Sequence, residues 1–460
     1  MSGESDTMST KNAPASLPGW FTSDTIHTVV LAFPDVYGRL MGKRLTYKHF
    51  VDVVLRSGSH ACNYLLTVDI EMNPVDGFEL ASWDKGYGDF HIEVDLTTLR
   101  QKPWLPHTAI VLGDLYHEGH QPVVEAPRSV LKKQLERLTS KELSAVMASE
   151  LEFYMFNHPY AEAHELGHRD LEPSSDYLID YHLLQTARDE DVFGRLRNEM
   201  DQAGITVEGT KGEWGKGQHE LNLLYTEALQ MADRHVVFKH GAKQIADQEG
   251  RSLTFMAKWR SEDAGSSCHI HTSLWNPTGE KPSFIDDAGE ASETFRHFIG
   301  GLMQHSRELS YFFAPTINSY KRYQAASWAP TSLVWANDNR TTGFRVVGSG
   351  RSLRVENRMP GADVNPYLAY AATIAAGLKG IEDKIDCGEA YVGNAYEDES
   401  LERLPDSLAT AADLLDSSEF ARTTFGDKVI DFYVRTAKVE ADAHQRNVSD
   451  WERSRYFERI

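Results

Sequence analysis

In three stretches of the chain, charged residues fall on every second position: Glu150-Leu151-Glu152, His269-Ile270-His271 and Arg354-Val355-Glu356-Asn357-Arg358. A strand sends successive side chains to opposite faces, so residues two apart share a face. The surrounding segments, Ser149 to Phe156, Cys268 to Leu274 and Leu353 to Met359, are otherwise apolar and strand-like. Leu151, Phe153, Ile270 and Val355 then form the opposite, core-type face. The pattern predicts a sheet with metal-ligand and anion-binding groups on one side and apolar packing on the other.

The rest of the pattern divides the chain in two. Residues 25–34 read as a strand closed by a turn at Asp35 to Gly38, with residues 39–45 as its hairpin partner. A helix over Tyr47 to Ser57, a Gly- and Asp-rich loop over Asp76 to Asp89, and a strand over Thr108 to Leu115 complete a small mixed sheet with one helix. This region ends near Pro122 to Pro127. An amphipathic helix, Pro127 to Leu138, with a cap upstream, opens a second region in which strands alternate with helices. Its helices are expected at Val192 to Gly204, Thr226 to Gly250, Phe295 to Phe313 and Pro366 to Asp383, the last opening on a proline. The domain division is therefore 1–18 as a disordered tail, 19–122 as the first domain and 123–460 as the second.

Length and composition leave this picture unchanged but narrow the function. A chain of 460 residues with a formal charge of −21 is long enough for two cores and a poor nucleic-acid binder, since phosphate backbones need basic patches. Its three cysteines, Cys62, Cys268 and Cys387, are too few and too scattered for a disulfide framework, which fits a reducing cytoplasm. The first 18 residues lack the apolar run of a signal peptide, and the most apolar stretch, Tyr367 to Leu378, is too short to span a bilayer. No membrane role is expected.

An isolated E-x-E is usually a solvated strand face, but a second acidic pair, Glu213 and Glu220, flanks the Gly-rich run Gly215-Lys-Gly-Gln-His219. Two histidines sharing a strand face permit zinc, yet carboxylates accompany them and no thiolate does, which favours Mg²⁺ or Mn²⁺. Arginines then concentrate against the acidic trend: Arg322, Arg340, Arg345, Arg351, Arg354 and Arg358. Arg351 reads equally well as solvated. Arginine is suited to bidentate binding of carboxylate and phosphate. Acids for a metal and arginines for oxyanions suit phosphoryl transfer, and the absence of a Walker-type loop excludes a P-loop enzyme.

Taken in order, Glu150-Leu-Glu152, Gly212-Glu-Trp-Gly-Lys-Gly-Gln-His-Glu220, Cys268-His-Ile-His271, Asn318-Ser-Tyr-Lys-Arg322, Asn339-Arg340 and Arg354-Val-Glu-Asn-Arg358 resemble the glutamine synthetase family. The resemblance runs from about Thr25 onward. It implies an α+β fold, with a small N-terminal β-grasp domain and a large C-terminal catalytic domain whose curved antiparallel sheet is flanked by helices. It implies one divalent metal held by Glu152, Glu213 and Glu220, and a second held by Glu150, His269 and Glu356. Arg322 and Arg358 would bind glutamate, with Glu152 and the Gly265 backbone beside it. Arg340 and Arg345 would stabilise the transferred phosphoryl group, with Glu356 counted among the catalytic residues. His271 and Arg345 would contact ATP phosphates, Tyr225 and Arg354 sandwich the adenine, and Ser273 touch the nucleotide. The implied assembly is a homo-oligomer of stacked rings, a dodecamer, with active sites shared between subunits.

The departures from the family pattern concern the ammonium site. An Asp-Gly-Ser-Ser run is absent where the chain reads His60-Ala-Cys-Asn-Tyr-Leu-Leu66, and a glutamate after the Tyr-Lys-Arg motif is replaced by Trp328 in Ser327-Trp-Ala-Pro330. A cation loses two anionic partners there, and an organic group gains surface to bury. The expectation is an ATP-dependent ligase joining the γ-carboxyl of L-glutamate to a small primary amine, with Asn63, Tyr64 and Trp328 as candidate amine-site residues. Trp328 packed under its loop is the structural alternative. The functional alternatives are a glutamine synthetase using ammonium and a non-catalytic protein of the same fold.

Overall fold

The computed structural model describes residues 17–460. The expected tail, residues 1–18, lies outside the described residues apart from Leu17 and Pro18. From there two sheets follow in chain order. The first contains β1 (Thr28–Pro34), β2 (Leu40–Thr46), β3 (Ser59–Cys62), β4 (Asp89–Gln101) and β5 (Thr108–Tyr116), in the order β2-β1-β5-β4-β3. The predicted hairpin is present because Asp35 accepts from the backbone N–H of Tyr37 and Arg39, at 3.0 and 2.8 Å, and closes the turn. The central pair, β1 and β5, is parallel, which makes the sheet mixed as expected.

The second sheet has nine strands: β6 (Ser144–Phe156), β7 (Val207–Gly212), β8 (Gln218–Leu223), β9 (Thr226–Glu227), β10 (Ser252–Thr254), β11 (Cys268–Trp275), β12 (Trp335–Asn337), β13 (Phe344–Val347) and β14 (Arg354–Asn357). They run β12-β13-β14-β11-β6-β8-β7, with β9 and β10 paired to β6 beside that path. Only β12 and β13 are parallel; the other pairings are antiparallel. Helices cover one face, which makes the architecture α+β. Leu151, Phe153 and Ile270 are fully buried on that face and Val355 nearly so, as the alternation required. Ser149, on the same face, is tied to the helices Ala228–Gln248 and Pro366–Asp383 through His235 at 2.9 Å and Tyr370 at 2.5 Å. The apolar stretch Tyr367 to Leu378 is buried throughout, so it is core. No helix among the described residues is long and apolar enough to cross a membrane.

Arg128 ties the first sheet to the helices that cover the second. Its buried guanidinium meets Asp95 of β4 and Asp114 of β5, each at 2.6 Å, and Asp233 of the long helix at 3.0 Å. Tyr367 donates to the same Asp233 at 2.6 Å.

Three helical expectations need correction. The helix opening at Pro127 has no side-chain cap; Ala126 precedes it, and the proline at its start needs no N–H partner. Phe295 to Phe313 is broken into Glu293–His305 and Ser310–Phe313. The segment Tyr47 to Ser57 is helical but widened by a π-type turn at Phe50–Val54, whose Phe50 and Val54 are both buried in the core.

Candidate active site

Cross-strand register assembles the polar face of the larger sheet. His269 of β11 stands opposite Glu150 of β6, and His271 stands opposite Glu356 of β14. Glu356 faces Arg345 of β13 on its other side. In the other direction Glu150 pairs with Asn222 of β8, Glu152 with Glu220, and Glu220 with Lys211 of β7. Charged positions on six strands thus meet on one surface because each strand places them two apart and the ladders align them.

Two three-residue groups result. In each, one ligand atom per residue lies within 4.8 Å of the others: Glu150, His269 and Glu356 in the first, and Glu152, Glu213 and Glu220 in the second. In the first, His269 Nδ1 is 2.8 Å from Glu150 and 3.4 Å from Glu356, and His271 Nε2 is 3.4 Å from Glu150. Burial, and then the nearby Arg358, hold the His269 imidazole below its ordinary pKa, which keeps it in the neutral, ligating form. Glu150 is pushed up by burial, but hydrogen bonds from His269 and His271 overcome this and hold it well below the carboxylate range. Glu356 is likewise pushed up by burial but brought down to about 2, chiefly by Arg358.

The second group is unlike the first. Burial, and then the charge of Glu213, hold Glu152 up at about 7. Burial, and then Glu150, hold Glu220 up at about 11. Glu152 is fixed in place by Ser267, whose N–H and hydroxyl donate at 2.8 and 2.5 Å. Lys211 pairs with Glu213 and lies 3.8 Å from Glu220. Carboxylates crowded so closely repel one another, and a hard divalent cation neutralises such a set. The all-oxygen second group and the oxygen-and-imidazole first group both fit Mg²⁺ or Mn²⁺.

A cavity of about 460 Å³ opens over these groups. Glu152, Gly265, Arg322, Arg340, Arg345, Glu356, Arg358 and Trp328 all line it, as do both acidic groups. Arg322 is buried with its guanidinium donating to the Met359 and Arg358 carbonyls at 2.9 and 3.1 Å. Arg358 pairs with Glu356 and donates to the Trp328 carbonyl at 3.2 Å. Gly265 is required here: a Cβ would fall 2.7 Å from Arg322 Cγ and 2.9 Å from the Ala257 carbonyl oxygen. A second cleft, of about 1150 Å³, is lined by Tyr225, His271, Ser273, Arg345 and Arg354. The two spaces share Glu150, Asn222 and Arg345 in their walls.

Trp328 stands half exposed at the rim of the first cavity, edge-on to Trp214 with ring centres 6.2 Å apart, so it is not packed under its loop. Asn63 and Tyr64 line neither space. They sit on the short turn after β3, where Tyr64 meets Tyr87 edge to face. Several cavity residues escaped the sequence reading: Gln218, Asn222, Ser267, Lys211, Asp180 and Tyr181. Gln218, Glu220 and Asn222 do alternate in sequence, so that signal was available; Asp180 and Tyr181 lie in an irregular loop that carries no periodicity.

Fold and site together define a class, an enzyme whose acid clusters and arginines line two adjoining cavities. The catalytic-domain model of glutamine synthetase matches residues 124–456, which is most of the chain. The chain belongs to the glutamine synthetase family, whose members generally use ATP and a divalent metal ion. It is 50% identical over 435 residues to a γ-glutamylethanolamide synthetase of Streptomyces coelicolor, covering 95% of this chain and 93% of that one. It is 37% identical to a glutamate–isopropylamine ligase of a Pseudomonas species, covering 95% and 96% of the two chains. A solved ADP complex of GmaS superposes with a TM-score of 0.82 at 28% identity, covering 94% of this chain and 97% of that one.

Proposed function

We propose that this protein is an ATP-dependent ligase that joins the γ-carboxyl of L-glutamate to a small primary amine and releases a γ-glutamylamide, ADP and phosphate. The observation that carries this reading is the composition of the first cavity: both acidic groups and the arginines are complete, while Trp214 and Trp328 stand at its rim. The similarity to two relatives named for γ-glutamylamine formation supports it.

In this reading ATP occupies the larger cleft, with Tyr225 and Arg354 at the base and His271, Ser273 and Arg345 toward the phosphates. Glutamate occupies the smaller cavity, its carboxylate on Arg322 and Arg358 and its amino end toward Gly265 and Glu152. Its γ-carboxylate oxygen attacks the γ-phosphorus, and ADP leaves with the bonding pair. Arg340 and Arg345 stabilise the charge on the transferring group, which an arginine does best when it is already in place. Arg345 is already in place, bonded to Glu356 at 2.9 Å and to Asp338 at 3.0 Å. Glu152, Glu213 and Glu220 would hold one Mg²⁺ or Mn²⁺ and Glu150, His269 and Glu356 another; when bound, such ions neutralise phosphate charge and fix oxygen positions. The amine then displaces phosphate from the acyl phosphate.

We also assign residues 19–122 to a β-grasp domain and 123–460 to the catalytic domain, and place the enzyme in the cytoplasm, which three unpaired cysteines favour. A ring assembly, with the site completed by a neighbour, accounts for Asn63 and Tyr64 lying off the cavity of their own chain. It also accounts for the exposed Leu178, Leu183 and Leu184 beside the rim. The test is phosphate release with ATP, glutamate and a panel of amines including ethanolamine, isopropylamine and ammonium. Highest kcat/KM with an organic amine is expected. Ammonium as the best acceptor would make the protein a glutamine synthetase, and no turnover with any acceptor would make it a non-catalytic relative.

A further inference from the structure

An alkylamine reaches the enzyme as an ammonium ion, since its pKa resembles the roughly 10.4 of lysine, and it must lose a proton before its nitrogen can attack. The family-type carboxylates for this task are missing around Asn63 and Trp328. Six carboxylates line the smaller cavity: Glu150, Glu152, Asp180, Glu213, Glu220 and Glu356. Five of them form the two three-residue groups. The sixth, Asp180, belongs to neither.

Asp180 has the setting of an acceptor-site group. It shares the cavity wall with Tyr181, Trp214 and Trp328, the aromatic side of that space. Its carboxylate accepts no hydrogen bond from the described residues, and its nearest cation, Lys211, is 3.6 Å away and directed toward Glu213. Tyr181 faces the same lysine, whose Nζ sits 4.4 Å from the ring centre, and Glu220 lies 3.8 Å from it. The loop that carries Asp180 is held firmly. The Tyr181 N–H donates to the Gly212 carbonyl at 3.2 Å, and a Cβ at Gly212 would meet the Ile179 carbonyl oxygen at 2.4 Å. Ser175 accepts from the Gly217 N–H at 2.6 Å, which ties the start of the loop to the Gly-rich turn before β8. An irregular segment pinned at both ends and presenting to a cavity a carboxylate that belongs to neither acidic group, paired only with Lys211, is built to hold that carboxylate in place.

Resting on the ligase reading above, we propose that Asp180 receives the ammonium form of the acceptor and takes its proton. The aromatic rings of Tyr181, Trp214 and Trp328 enclose the organic group, and their faces also favour a cation. One N–H proton passes to an Asp180 oxygen, and the freed nitrogen lone pair forms the C–N bond to the γ-carbonyl carbon. Collapse of the adduct breaks the C–O bond, and phosphate leaves with the electron pair. The nitrogen's remaining excess proton goes to the departing phosphate. Removing the ammonium from water against aromatic walls makes its proton easier to take.

Asp180→Asn tests the assignment with two acceptors of the same carbon skeleton and different basicity, ethylamine and trifluoroethylamine, the second being largely neutral at neutral pH. The expected result is a roughly 10²-fold or greater fall in kcat/KM for ethylamine, the range of lost acid–base catalysis. Trifluoroethylamine should change less than about threefold, and KM for ATP and glutamate should hold. Asp180→Glu should recover part of the ethylamine activity. An equal fall with both amines, or no fall with either, overturns the assignment. A wild-type enzyme that uses ammonium alone overturns the ligase reading, and this assignment with it.

Discussion

Gly265→Ala is a one-carbon perturbation whose consequence can be worked from the structure. Gly265 has no positive φ, so backbone strain plays no part. What matters is space: the new Cβ lies 2.7 Å from Arg322 Cγ and 2.9 Å from the Ala257 carbonyl oxygen, which already accepts the Ser266 N–H at 2.9 Å. Carbon atoms pack at about 3.5–4.0 Å, so the arginine stem must retreat by about 1 Å. Its guanidinium is held by two carbonyls at 2.9 and 3.1 Å and cannot follow without losing them. A misplacement of about 1 Å costs about 10²-fold in rate, or about 3 kcal/mol of transition-state binding. Overpacking adds about 1–3 kcal/mol of lost stability. The assay is kcat/KM for glutamate at saturating ATP and amine, with ATP affinity measured by calorimetry as the control, because Gly265 does not line the nucleotide cleft. A glutamate kcat/KM within threefold of wild type, or an equal loss of ATP affinity, refutes the reasoning.

The remaining predictions concern charge, the sheet junction and the acceptor wall. Glu152 and Glu220 have raised pKa values, about 7 and about 11, so their neutral forms are favoured on folding. The stability they contribute is complete below the ordinary value of 4.5 and is lost, for Glu152, as pH rises through about 7. Metal-free protein should therefore lose thermal stability between about pH 5 and 7, saturating Mg²⁺ or Mn²⁺ should restore it with proton release, and equal pH slopes with and without metal would contradict this. Arg128→Met leaves Asp95 and Asp233 without their cation and Asp114 with Lys132 alone. Breaking such a buried network costs about 3–5 kcal/mol, to be read from denaturant unfolding, and a loss under about 1 kcal/mol would show that the junction does not depend on it. Trp328→Ala should raise KM for an organic amine roughly tenfold, the worth of an aromatic contact, and leave ATP and glutamate KM unchanged in steady-state kinetics. Parallel changes in all three KM values would place Trp328 in the fold of the site instead.

The E-x-E and H-x-H segments were legible because strand geometry makes sequence spacing a statement about faces, and Leu151, Phe153 and Ile270 had to be buried once Glu150, Glu152, His269 and His271 faced outward. The order of the motifs likewise carried the family. The helix break after His305 and the missing cap before Pro127 were less legible, because they depend on what the chain ends meet in space.

Spacing along one strand says nothing about which strand lies beside it. That His269 faces Glu150 across 119 residues of chain, and that Glu356 stands between His271 and Arg345, was decided by β-ladder register in the folded sheet. Tertiary structure also decided that two ligand spaces share Glu150, Asn222 and Arg345, and that an aperiodic loop brings Asp180 to the aromatic wall. By itself the sequence determined which charged side chains share a strand face, because side-chain type and local periodicity are local properties. Their convergence on two adjoining cavities, with Asp180 outside both three-residue groups, came from long-range pairing and loop packing, which no local pattern encodes.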